Sequence, residues 1–104
     1  MMNPILIIIT TEPQKGKAKE ISKLLIENKL AACISFKDIS SIYFWDNEIH
    51  SSNEIELSIK STIENRDLII KILKDESSYE LPQIIFKEFN SDKDYFNWIK
   101  SNVS

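Results

Sequence analysis

The chain has 104 residues, 42% hydrophobic and 28% charged, with a net charge of -3 and one cysteine. That length suits one domain with a single core, and the composition argues against disorder. The acidic balance and the lack of a basic run argue against nucleic acid as a partner. A lone thiol excludes an internal disulfide and suits a reducing cytoplasm.

Met1-Met2-Asn3-Pro4 precedes an apolar run, Ile5 to Ile9. The run is far short of the ~20 residues that cross a bilayer, and it lacks the basic start and cleavage site of a secretory leader. No membrane partner is expected. The β-branched stretch Ile5 to Thr10 reads as a central strand. After Pro13, a helix-start residue, Ala18, Ile21, Leu24, Leu25 and Asn28 recur at helical spacing, predicting an amphipathic helix from about Gln14 to Lys29. The single glycine, Gly16, leaves no phosphate-cradling loop.

Two strand segments follow, Leu30 to Phe36 and Ser41 to Trp45, with a bend or bulge expected at Lys37-Asp38-Ile39-Ser40. Asp46-Asn47 suits a two-residue hairpin turn, because both residues tolerate positive φ. The return strand, about Glu48 to Lys60, alternates Ile55, Leu57 and Ile59 with Glu54, Glu56, Ser58 and Lys60. Ser61-Thr62-Ile63-Glu64 has the form of a capping box, opening a helix to about Asp75 with Leu68, Ile69, Ile72 and Leu73 inward. Pro82 introduces a strand from Gln83 to Phe89. A short terminal helix, about Asp92 to Lys100, carries Tyr95, Phe96, Trp98 and Ile99, of which Tyr95 and Trp98, at i and i+3, read as packing residues. The order β-α-β-β-α-β plus a helix is the ferredoxin-like α+β plan, in one domain over residues 1–104.

A turn at Asp46-Asn47 sets Trp45 opposite Glu48 and Tyr43 opposite His50. Ile42 and Phe44 are then expected on the helix-covered face with Ile55, Leu57 and Ile59. Tyr43 and Trp45 share the other face with Glu54, Glu56 and Lys60. With no helix left for that face, a second chain is expected to cover it.

Lys29-Leu30-Ala31-Ala32-Cys33, Ser41-Ile42-Tyr43-Phe44-Trp45, Glu54-Ile55-Glu56-Leu57 and Lys60-Ser61-Thr62 follow one another in an order that resembles the CutA family, the divalent-cation tolerance proteins. Tyr79-Glu80-Leu81-Pro82 and Tyr95-Phe96-Asn97-Trp98-Ile99 supply that family's last two landmarks, so the resemblance runs from Ile5 to Ile99. It implies a ferredoxin-like subunit, a tight homotrimer built like the PII signalling proteins, and a link to copper and other divalent ions without a settled reaction. The copper ligands attributed to some bacterial members, a cysteine and a histidine pair, fall here on Thr10, Glu76 and Ser77. The family's Pro-Gly kink is replaced around Lys37 to Ser40, and the glycine of its Trp-x-Gly turn is Asn47.

The site candidates are Cys33, Tyr43, Trp45, Glu56, Lys60 and Tyr79. They read either as aromatic walls and charges of an inter-subunit ligand cleft or as interface anchors. Trp45 in particular is expected to matter more for assembly than for subunit folding. Cys33 and His50 lack the convergent donors a metal needs, so Cys33 reads first as a small buried hydrophobe and His50 as a solvated strand residue. Copper binding is therefore expected to be weak, with no cofactor. Glu54 and Glu56 read as solvated or lysine-paired. No nucleophile–base pair or carboxylate pair with a neighbouring base is present, so no enzyme of a standard type is expected. Two functional readings stand: a trimeric divalent-ion tolerance protein, and a PII-like sensor of a small anionic metabolite.

Overall fold

A computed structural model describes residues 2–104. Strand β1 (Pro4–Glu12) is followed by helix α1 (Lys15–Glu27), strands β2 (Cys33–Trp45) and β3 (Glu48–Ser61), a 3₁₀ turn (Ile63–Asn65), helix α2 (Arg66–Glu76), strand β4 (Ile85–Asn90) and helix α3 (Lys93–Ser101). The antiparallel sheet runs β2-β3-β1-β4. This is the ferredoxin-like α+β arrangement that the element order predicts. The β-branched run of β1 lies inside the sheet, with Leu6 and Ile8 fully buried.

One face of the sheet carries α1 and α2. Leu6, Ile8, Leu57 and Ile59 meet Ala18, Ile21 and Leu25 of α1 and Ile69 and Leu73 of α2 in a single core. Leu24 and Leu68 fall at the margin and are partly exposed. Helix α1 ends with Lys29 at φ 56°. The Lys29 N–H donates to the Ile26 carbonyl and the Leu30 N–H to the Leu25 carbonyl, each at 3.0 Å. This is a Schellman stop, formed with a lysine where glycine would adopt the left-handed geometry at less cost.

Three expectations need correction. The bend at Lys37 to Ser40 does not form: β2 pairs with β3 residue for residue from Cys33↔Lys60 to Trp45↔Glu48, which leaves no room for an inserted residue. Nothing in Lys37-Asp38-Ile39-Ser40 withholds a backbone donor or requires positive φ, so the ladder continues through it. The capping box at Ser61 also fails. Ser61 is the last residue of β3, opposite Leu6, and its hydroxyl donates to the Leu30 carbonyl instead. Thr62 then caps only the 3₁₀ turn, without a side-chain bond to the backbone. The third correction concerns Ile42 and Phe44, which the helices leave uncovered.

The register itself is as expected. Asp46 and Asn47 take φ 53° and 61°, the primed turn that matches strand twist. Ile42, Phe44 and Ile49 do share the face of Leu57 and Ile59. They are nevertheless 76%, 69% and 74% exposed. The reason is length. The 13 residues of β2 span ~43 Å at ~3.3 Å each, while the 13 residues of α1 span ~20 Å. The hairpin outruns the helical layer and projects as an arm, giving a molecule of 47 × 26 × 22 Å.

The second face is not bare either. Helix α3 packs on β1 and β3. Its Ile99 is fully buried yet lies outside the main core, and Tyr95 reaches Cys33, which register places opposite Lys60 on that second face. The terminal helix therefore covers the base of the face assigned above to another chain. The arm beyond it stays open.

Candidate functional site

The open part of the second face meets the loop that follows α2. Between them lies a groove of about 500 Å³ bordered by Thr11, Ser41, Ile42, Tyr43, Trp45 and Glu54, with Ser78, Tyr79, Glu80, Leu81 and Gln83 along the loop side. Tyr43 and Trp45 reach it because odd residues of β2 point to this face, as does Glu54 of β3. Tyr79 comes from the opposite side, on the loop.

Two carboxylates hold that loop. Glu12, the last residue of β1, is almost fully buried. It accepts the Ser78 N–H at 3.0 Å and the Ser78 hydroxyl as well. The Tyr79 hydroxyl then donates to Glu54 Oε2 at 2.8 Å, tying the loop to the arm. Burial raises the Glu54 pKa, but hydrogen bonds from Ser41, Tyr79 and Thr11 outweigh it, and the carboxyl stays below its ordinary value. Burial, with the Glu54 carboxylate beside it, pushes the Tyr79 phenol well above the usual tyrosine range.

These directions carry a pH prediction. Because the folded pKa of Tyr79 is raised, its contribution to stability is present below the unfolded value near ~10 and is lost as pH rises through the folded value. Glu54, lowered on folding, contributes above the ordinary carboxylate value and loses that contribution as pH falls through its folded value. Tyr79→Phe should cost about 1.5 kcal/mol at neutral pH, a hydrogen bond to a charged acceptor. The gap in melting temperature between wild type and variant should narrow above pH ~10. A constant gap from neutral to strongly alkaline pH would show that the phenol and Glu54 are not linked to folding.

Of the residues singled out in the sequence, the groove joins Tyr43, Trp45 and Tyr79. Glu56 lies one step along β3, opposite Lys37 and Thr11 on its neighbours. Lys60 sits further down and donates to the Ser35 hydroxyl at 3.1 Å. Cys33, half-buried, faces Lys60 and touches Tyr95 under α3. His50 stacks on Tyr43, centroids 5.7 Å apart, with Nε2 3.0 Å from the Trp45 carbonyl oxygen. Glu54 partners a tyrosine rather than lysine or solvent, and Glu12 and Ser78 complete the frame. Only the Tyr79-Glu80-Leu81-Pro82 landmark hinted at this loop.

The positions where the resemblance puts copper ligands do not form a metal site. Thr10 is buried in β1, the Glu76 carboxylate pairs with Lys17 at 3.3 Å, and the Ser77 hydroxyl accepts the Tyr79 N–H. Among the described residues no three of His, Cys, Asp and Glu converge as a metal would require.

Comparison with known proteins places this geometry. A family model described as CutA1 divalent ion tolerance protein matches residues 6–102. The divalent-cation tolerance protein CutA of Escherichia coli is 22% identical over 99 residues, covering 93% of this chain and 88% of its own. Among solved structures, CutA1 from the psychrotrophic bacterium Shewanella sp. SIB1 is 35% identical, with a TM-score of 0.90 over 95% of this chain and 94% of that one. The divalent ion tolerance protein CutA1 of Ehrlichia chaffeensis is 30% identical, with a TM-score of 0.91 over 100% and 98%. CutA from Synechococcus elongatus PCC7942 reaches a TM-score of 0.94 at 27% identity, over 100% and 95%. The names of the family model and of the Escherichia coli and Ehrlichia chaffeensis proteins describe divalent-ion tolerance. With the fold shared end to end and the family model spanning both walls of the groove, the chain belongs to the CutA1 divalent ion tolerance protein family.

Proposed function

We propose that this protein serves divalent-ion tolerance as a homotrimer that binds a small ligand and does not transform it. The observation that carries the assembly is the projecting arm. An isolated two-stranded ribbon is at best marginally stable in water. Here it also exposes Ile42, Phe44 and Ile49 on one face. Burying each such side chain is worth roughly 1.5–3 kcal/mol, and the free edge of β2 offers backbone groups for pairing with another copy. The lone cysteine, with no partner thiol in the chain, supports a cytoplasmic setting.

Copper is a poor fit to the resident donors. Thr10 and Ser77 bring hydroxyls where soft or nitrogen ligands are needed, and Glu76 already has a cation. Titration of the chelator-treated protein with copper(II) should give no stoichiometric site tighter than ~1 μM. A sub-micromolar site that persists in Cys33→Ser would overturn this reading. So would one that requires three copies of a single donor at a symmetry axis, which chain mixing with a Cys33→Ser or His50→Ala partner would expose.

A further inference from the structure

We propose that the groove between the β2–β3 arm and the loop after α2 is a binding site for organic ammonium ions. Three aromatic side chains, Tyr43, Trp45 and Tyr79, border it, and the Glu54 carboxylate lies among them. Aromatic faces attract cations through the ring quadrupole, most strongly when the cation carries a soft, weakly hydrated charge. The volume of about 500 Å³ is that of a small-ligand site.

Charge selects among ligand classes. Among the described residues of this one chain, those bordering the groove include Glu54 and Glu80 and no lysine, arginine or histidine. A small anion would meet two carboxylates and no compensating donor cation. A bare divalent ion fits no better, because it needs several oxygen ligands at short range. Glu54 already accepts the Tyr79 hydroxyl at 2.8 Å, and no other His, Cys, Asp or Glu completes a set among the described residues. An alkylammonium ion needs only ring faces and one fixed negative charge. Glu54 supplies that charge, since its hydrogen bonds keep it ionised.

The walls are set before any ligand arrives. Glu12 holds Ser78, and Tyr79 is fixed to Glu54, so both sides of the groove are braced by bonds within one chain. The named walls belong to one chain, while Ile42 of the apolar patch assigned to assembly also borders the groove, so binding and assembly are read out separately.

The test uses Trp45 as its own reporter. The chain has two tryptophans, and Trp98, stacked on Tyr95, lies outside the groove. In a Trp98→Phe background, choline chloride should change the Trp45 emission saturably, with half-saturation near ~1 mM. Its neutral carbon isostere, 3,3-dimethyl-1-butanol, should bind at least ~10-fold more weakly, because only the charge differs. Glu54→Gln should weaken choline binding ~10-fold, and Glu80→Gln, on the loop side, ~3-fold and with less risk to folding. Equal binding of the alcohol would reduce the groove to an apolar cleft and overturn the proposal. A linear response to choline without saturation, or tighter binding of ATP than of choline, would do the same. Light scattering on the same samples reports assembly separately, so a trimer that ignores choline sinks this inference alone.

Discussion

Phe44→Asp is expected to turn an assembled protein into a folded monomer. Phe44 sits near the end of the arm, paired across the ribbon with Ile49 and next but one to Ile42, and all three are largely exposed in the single chain. None belongs to the core built from Leu6, Ile8, Leu57, Ile59 and the two helices. A charge placed there costs the subunit little, within the ~1 kcal/mol span of strand preferences. In an assembly that covers the patch, an unpaired carboxylate costs ~3–5 kcal/mol, and three-fold symmetry repeats the cost at each contact. Light scattering should fall from three chains to one, 12.1 kDa, with an unchanged far-UV spectrum. Trp45→Ala tests the opposite face, where the tryptophan borders the groove and is 43% exposed. The sequence alone points to Trp45 as the assembly anchor; the uncovered apolar face adds Phe44 as a second candidate for that role. A wild-type monomer at micromolar concentration would remove the trimer. A Phe44→Asp protein that stays trimeric at nanomolar concentration would show that the arm anchors nothing.

Glu12→Ala should be the most damaging single change at the groove. The Glu12 carboxylate is nearly inaccessible, and both of its recorded partners belong to Ser78, 66 residues away in the chain. Removing it leaves the Ser78 N–H and hydroxyl without their acceptor, each worth ~1–3 kcal/mol when unmet. Since Ser78 lies at the surface end of α2, water will meet part of this need. A net loss of about 2–3 kcal/mol is expected, ~10 °C or more in melting temperature for a chain of this size. Glu12→Gln keeps an acceptor and should recover about half of the loss. The loop should loosen before the core does, so amide exchange should quicken at Ser78 and Tyr79 while Ile8, Leu57 and Ile59 stay protected. A variant with unchanged melting and unchanged exchange in the loop would show that Glu12 is not its clasp.

Much of the fold was legible because it is written in short-range pattern. The β-branched run of β1, the 3.6-residue spacing of Ala18, Ile21 and Leu25, and the alternation of Ile55, Leu57 and Ile59 each report a local backbone preference and a buried face. Asp46-Asn47 set the register of the whole hairpin, since a two-residue turn leaves a single pairing possible, and Tyr43↔His50 and Trp45↔Glu48 follow from it. The landmarks from Lys29 to Ile99 carried the family.

Pattern says which face a residue takes, and only the tertiary structure decides whether anything lies over that face. Ile42 and Phe44 alternate in step with the core strand, yet a helix advances ~1.5 Å per residue where a strand advances ~3.3 Å, and the helices end before the arm does. Ser61 carries a capping signature, but it lies opposite Leu6 and within reach of the Leu30 carbonyl, and a strand partner and a buried acceptor outweigh a helix cap. Glu12 and Glu54 look like ordinary strand carboxylates in the sequence. Their partners, Ser78 and Tyr79, lie 66 and 25 residues away, on a loop whose return across the sheet no local spacing encodes. The groove exists because that loop folds back over the arm, and this closure adds the Tyr79 hydrogen bond to those that Ser41 and Thr11 of the neighbouring strands give Glu54.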